Sequence, residues 1–244
     1  MKKTGNILDS FDSIRVVNLP ERKDRRAYMK RELASVHLLD ASKVDFFPAI
    51  RMKDPLCFMR SGSRGAYLSH LELLREAQFK SESILILQDD CKFFPAASRH
   101  PATSADVFYG GYTAMDPSNI EESPIIGAHF MGFSRRAVPL AVEFLTALIQ
   151  PGAAPLNSAE FSFDRQGQFV RPPIDGGLVW FRKAHPELST EFALLSRQRS
   201  SRTDIGDQTA ADRYRSTRRL AEFARSARES VLTLSSALPR LRTH

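Results

Sequence analysis

Apolar positions in this chain fall into short runs separated by helical patterns and turn residues. Runs rich in Val, Ile and Phe near 14–19, 44–49, 84–89, 106–110 and 125–133 predict strands. Residues 22–35, 65–79, 135–149 and 208–236 predict helices; Tyr67, Leu71 and Leu74, at helical spacing, should face a core. Such alternation argues for an α/β fold with a mainly parallel sheet covered by helices. Residues 150–173 are richer in Pro, Gly and Ser and read as a connection.

The run Ile84–Asp90, ILILQDD, is the most informative of these, because four aliphatic residues end abruptly in two acids. A continuous apolar run fits a parallel strand buried on both faces. Acids at its carboxyl end then sit where open α/β sheets bind ligands. A period of two puts Gln88 and Asp90 on one side and Asp89 on the other, unless the chain turns at once. Carboxylate oxygens are hard ligands suited to Mg²⁺ or Mn²⁺, which makes Asp90 the first candidate for a metal ligand and Asp89 the second. The competing reading is a polar strand end that opens a loop.

Two flanking segments add to this. In Ser13–Arg26, SIRVVNLPERKDRR, a strand and a Pro turn lead into a helix start crowded with Arg22, Lys23, Arg25 and Arg26. Basic side chains there would meet an anionic group held beside a helix N-terminus; pairing with Glu21 and Asp24 on a solvated face is the alternative. In Gly62–Gln78, glycines precede an amphipathic helix. Gly62 and Gly65 allow either a close backbone approach to a ligand or simply a tight turn. His70, next to the apolar stripe, reads first as a hydrogen-bonded structural histidine.

The ordered set VVNLPERKDRR, GSRGAYLSH, ILILQDD, DVFYGG, IIGAHFMGFSRRAV and PPIDGGLVW resembles glycosyltransferase family 25, over about residues 14 to 205 and including the late segment SRQRSSRTDIGD. The resemblance implies a GT-A-like fold, a UDP-sugar donor, often UDP-galactose, and a divalent cation, Mn²⁺ or Mg²⁺. It implies that Asp89 and Asp90 hold the metal and the donor diphosphate, and that Asn18 with Arg25 or Arg26 lies along the nucleotide. It also implies a saccharide acceptor on a lipooligosaccharide or other surface glycan, and inversion at the anomeric centre. Gln88 stands where the family usually has Glu, which removes one negative charge and weakens the expected hold on a cation. In the family's GTHAY-like strand, Ala128 stands for Thr and Met131 for Tyr.

Transfer from a nucleotide sugar needs charge neutralisation of the departing diphosphate, a base for the acceptor hydroxyl, and orientation of both partners. For the base the sequence offers Asp175, in RPPIDGGLVW, where prolines stiffen the approach and two glycines leave space beside the carboxylate. An Asp before two glycines is also a common turn residue, and a role in acceptor binding stays open. His129 interrupts an apolar strand and is a candidate ligand or diphosphate contact, or else a buried histidine satisfied by backbone. Trp180 could stack on a sugar, although a core role is the simpler reading. A nucleophile elbow G-x-S-x-G, an H-E-x-x-H pair and a Walker loop are all missing from the sequence, which argues against the corresponding hydrolases.

Composition changes the picture chiefly at the C-terminus. Of the formal net charge of +7, residues 197–244 carry +6, from 11 Arg against 5 Asp plus Glu. This divides the chain into a catalytic domain, 1–207, and a basic helical extension, 208–244. Its imperfect apolar stripe (Tyr214, Leu220, Phe223, Ala227, Val231, Leu234) suits either an anionic membrane surface or packing on the catalytic domain. Little aromatic interleaving and no binding motif mean that no nucleic acid partner is expected. Cys57 and Cys91 lack metal-ligand spacing, and the N-terminus has no apolar signal core. The expected location is cytoplasmic, with a peripheral position on the inner face of the membrane as the variant that the tail opens. Two other functions fit the same residues: a catalytically silent relative, suggested by Gln88, and a basic-tailed membrane-peripheral adaptor.

Overall fold

The computed structural model describes residues 5–150 and 170–199. The predicted tail helix, most of the connection at 150–173 and the domain division near residue 207 lie outside these.

After a 3₁₀ turn at Ile7–Asp9 come β1 (Ser13–Asn18), α1 (Lys23–Ser35), β2 (Val44–Pro48), α2 (Ser61–Lys80) and β3 (Ile84–Gln88). The chain continues through β4 (Cys91–Phe93), β5 (Val107–Tyr109), β6 (Thr113–Ala114), β7 (Ile125–Ile126), β8 (Phe130–Phe133) and α3 (Ala137–Leu148). The last elements among the described residues are α4 (Ile174–Ala184), β9 (Thr190–Phe192) and β10 (Ser196–Gln198). Six strands form one sheet in the order β2-β1-β3-β8-β5-β9. β1 pairs parallel with β2 and β3, β5 pairs parallel with β9, and β8 runs antiparallel between β3 and β5. Five of the six strands therefore point the same way, and their carboxyl ends share one edge.

Both faces of the sheet are covered, which is why its central strands read as unbroken apolar runs. Alternation sends Ile84 and Ile86 of β3 to a core built with Tyr67, Leu71 and Leu74 of α2, Ala141 and Leu145 of α3, and Leu178, Trp180 and Phe181 of α4. Leu85 and Leu87 enter the opposite core with Met29 and Leu33 of α1 and with Ile7, Leu8 and Phe11. Trp180 is thus a core residue.

Three expectations are revised. The strand expected over 125–133 is split, because Gly127 adopts φ +119 and turns the chain between β7 and β8. The Asp-Gly-Gly segment, for which no helix is expected and a turn is the alternative reading, opens α4: Pro173 precedes the helix, Asp175 lies in its first turn, and Gly177 sits against Leu145 and Tyr67. Here packing overrides the low helix propensity of two glycines. Finally, α2 starts at Ser61 rather than near residue 65.

Candidate functional site

The carboxyl edge of the sheet gathers most of the residues singled out by sequence. β1 ends at Asn18, β3 ends at Gln88 followed by Asp89 and Asp90, and β8 begins just after His129. The Gln88 N–H donates to the His129 carbonyl at 3.0 Å and the Asp89 N–H to the Val17 carbonyl at 3.2 Å, so these ends are tied together through backbone.

The chain does turn at once after Gln88, and this rearranges the acids. Asp89 points toward α1, where Arg25 Nη1 donates to its Oδ1 at 2.9 Å and Asn18 Nδ2 to its Oδ2 at 2.7 Å. Asp90 lies beside the same guanidinium, at 3.8 Å, and its Oδ2 accepts from Gln198 Nε2 at 3.2 Å. Asp90 is therefore grouped with Asp89 and not with Gln88, which faces α2 and meets His70 Nε2 at 3.3 Å. All four groups, Asn18, Arg25, Asp89 and Asp90, are buried. Burial raises the Asp89 carboxyl above the ordinary range, against the opposing pull of Arg25 and Asn18, and the charge of Asp90 adds to the rise. The Asn18 side-chain carbonyl is buried and has no hydrogen-bond donor among the described residues.

Other candidates divide between the edge and the scaffold. Arg26 is not brought to the acids: its guanidinium lies 4.1 Å over the Phe46 ring. Gly65 faces the Ile50 carbonyl, into which a Cβ would run, so its role is the close approach of α2 to the chain after β2. His70 is buried and, desolvated, titrates near pH 4; its hydrogen-bond partner is a side chain, Gln88, instead of backbone. His129 is also buried, against Gly111 and Gly127, and desolvation brings it down to about 4. Both rings are neutral at physiological pH.

Asp175 belongs to a second part of the edge. Its carboxylate accepts from the Gly127 N–H at 3.4 Å and the Gly176 N–H at 3.2 Å, and burial raises its pKa. Gly127 lies against Gly111, Tyr112 and His129, so Asp175 is joined to the ends of β5 and β8 through one glycine. Its positive φ is a conformation that L side chains rarely adopt.

The described residues contain no group of three or more His, Cys, Asp or Glu that could hold a metal ion. Asp89 has both oxygens engaged by Arg25 and Asn18, leaving Asp90 the better placed of the two. One carboxylate suits a Mg²⁺-like ion only when substrate phosphate oxygens complete the shell. Gln198 was missed by sequence reasoning. It sits in the late segment SRQRSSRTDIGD, whose only signal was its place in the ordered motif set. β10 pairs antiparallel with β4, the strand that follows the acids, and this puts Gln198 opposite Cys91 and next to Asp90.

No family model and no curated protein matches the chain. Among solved structures it is similar to a glycosyltransferase involved in glycosylation of the major capsid of PBCV-1, with 11% identity, a TM-score of 0.43, and coverage of 76% of this chain and 92% of that one. It is also similar to a nucleoside-diphosphate-sugar pyrophosphorylase from Vibrio cholerae, with 14% identity, a TM-score of 0.31, and coverage of 75% and 72%. The fold is mixed α/β, with a mainly parallel central sheet flanked by helices. That description rests on the order and direction of the strands. Among the described residues no helix is long and apolar enough to cross a membrane.

Proposed function

We propose that this protein is a glycosyltransferase of the family 25 type, moving a hexose, galactose by resemblance, from a UDP-sugar to a hydroxyl of a lipooligosaccharide or other surface glycan. The observation that carries this reading is the two-part edge of the sheet. One part is charged and built from Asn18, Arg25, Asp89 and Asp90; the other holds Asp175, a carboxylate of raised basicity.

On this reading the nucleotide and diphosphate lie along the charged part. Asn18 has an unsatisfied buried carbonyl for a nucleotide N–H or hydroxyl, and Arg25 adds positive potential beside the diphosphate. A divalent cation, Mn²⁺ or Mg²⁺, would be held by Asp90 together with diphosphate oxygens and would stabilise the leaving group's charge. Asp89 orients Arg25 and Asn18 rather than meeting the cation. Asp175 accepts the proton of the acceptor hydroxyl as its oxygen forms the new bond to the sugar's anomeric carbon and the bond from that carbon to the diphosphate oxygen breaks. A carboxylate with its pKa raised by burial is a stronger base than an exposed one. Displacement from the opposite face inverts the anomeric centre. His129 supports the edge as a neutral ring at the start of β8. The arginine-rich segment 208–244 supplies a surface for anionic membrane through its positive charge.

The test is calorimetric titration with UDP and a panel of UDP-sugars, each with Mn²⁺ and with chelator. Metal-dependent binding that prefers one sugar is expected. Asp90→Ala should abolish the Mn²⁺-dependent component with the fold intact, and Asp175→Asn should keep donor binding while losing transfer. Absence of binding to every nucleotide tested would overturn the enzyme reading in favour of an adaptor.

A further inference from the structure

Beyond Asp175, the carboxyl ends of β5 and β9 carry an aromatic group with no role in the donor half of the site. Tyr109 and Phe192 stack, with centroids 5.0 Å apart and planes at 23°. Tyr112 meets both edge-on, at 6.5 and 5.5 Å. The Arg182 guanidinium lies 5.0 Å from the Phe192 centroid and 5.9 Å from that of Tyr109, and it is anchored by donating to the Ser123 carbonyl at 3.2 Å. Tyr109 and Arg182 are buried, whereas Tyr112 and Phe192 are partly open.

Two observations turn this cluster toward a ligand. First, the Tyr109 hydroxyl is buried without a hydrogen-bond partner among the described residues. A phenol left in this state calls for an acceptor or a water that the described protein does not supply. Second, Tyr112 and Asp175 share a neighbour: a Cβ at Gly127 would lie 3.4 Å from the Tyr112 Cα, and the Gly127 N–H donates to Asp175. The Tyr112 backbone and the Asp175 carboxylate are thus joined through one residue, Gly127. The adjoining hairpin of β6 and β7 exposes Ile126 and Met115, a further apolar rim.

We infer that Tyr112, held edge-on by Tyr109 and Phe192, is the stacking platform of an acceptor-saccharide subsite. A pyranose presents a face of C–H groups ringed by hydroxyls. An aromatic ring takes the apolar face, while hydrogen-bonding groups at the ring's edge take the hydroxyls. The arrangement selects a saccharide acceptor over a serine or threonine hydroxyl of a peptide, which has no ring to stack. It rests on the proposed transferase reading and deepens it by naming the acceptor's subsite.

The experiment uses the full chain saturated with UDP and Mn²⁺, probed by saturation-transfer NMR with methyl β-galactoside, methyl β-glucoside and lactose. At least one saccharide should bind, with its ring C–H protons receiving the transfer. Tyr112→Ala should weaken that binding about tenfold, as loss of one aromatic contact implies, while Tyr112→Phe stays within about twofold and UDP affinity is unchanged in both. Saccharide binding that survives Tyr112→Ala, or no saccharide binding to a protein that does bind UDP, overturns the subsite and leaves the donor reading standing. Failure of UDP itself to bind would instead strike the transferase reading. Thermal melting of both variants, expected to match the parent within a few degrees, separates lost contact from lost fold.

Discussion

The contact between Arg25 and Asp89 offers the sharpest test of how the charged half of the edge is built. Both side chains are nearly buried, 9% and 8% exposed, and 2.9 Å apart, with Asp90 a further neighbour at 3.8 Å. At an effective dielectric of about 20 the first attraction is gross ~6 kcal/mol, and the desolvation of two ions cancels much of it. The pair's net contribution is therefore small, but removing one partner is not. Arg25→Met should cost about 3–5 kcal/mol by stranding a buried carboxylate. With a urea m-value of roughly 2–3 kcal/mol/M for a domain of this size, the midpoint falls by roughly 1.5 M. The double variant Arg25→Met with Asp89→Leu should recover most of that loss. The pH dependence supplies the signature: with Arg25 gone, the Asp89 carboxyl has lost its main stabilising charge and protonates more readily, so the loss at pH 5 should be smaller than at pH 7.5. Urea melts of parent, single and double variants at both pH values read this directly. A single-variant loss below about 1 kcal/mol, or one that grows on acidification, would refute the arrangement. Arg25→Lys keeps charge without the planar fork and should weaken UDP binding with little loss of stability, which separates the donor role from the structural one.

Two further outcomes follow from the same edge. His70 and His129 both titrate near 4 when folded, against about 6.5 unfolded. Below about pH 6.5 the unfolded chain binds protons that the folded one refuses, so stability falls with pH until about 4, by roughly 2 kcal/mol per histidine between pH 7.5 and 5. Asp175 and Asp89, whose pKa values are raised, pull the other way, since acidification relieves their buried charge. His70→Gln should flatten the profile measured by urea melts, and an unchanged slope would show that His70 is not neutral and buried. Gly65→Ala, normally worth about 1 kcal/mol of gain inside a helix, should instead lose about 1–3 kcal/mol because the new methyl meets the Ile50 carbonyl; a gain in thermal stability would refute the packing assignment.

Much of the scaffold was legible because local pattern and tertiary burial agree there. β1, β2, β3 and β5 each lie within a residue or two of the sequence expectation; in the central strands β1, β3 and β5 burial on both faces leaves an apolar run, whereas the edge strand β2 is only partly covered. α4 was not legible. Its sequence, IDGGLVWFRKA, follows Pro173 and carries two glycines in its first turn, and the helix exists because Leu178, Trp180 and Phe181 bury themselves against α2 and α3. Gln198 was invisible for a related reason: its contact with Asp90 spans 108 positions and depends on the β4 to β10 pairing, which no local signal encodes.

The acids themselves show where a period-of-two argument stops. It places Gln88 correctly, on the α2 side facing His70, and Asp89 correctly, toward α1. It fails one residue later, because the strand ends at Gln88 and the turn swings Asp90 back beside Arg25. The consequence bears on the departure at Gln88. A neutral amide there sits on the opposite face from the charged group and bonds a neutral histidine, so its missing negative charge is not taken from the Arg25, Asp89 and Asp90 cluster. Gln88→Glu would place a carboxylate against His70, favour its protonated form by charge and hydrogen bonding, and raise its pKa well above 4. Any change in donor affinity from that substitution would then travel through His70 and vanish in the Gln88→Glu, His70→Gln double variant.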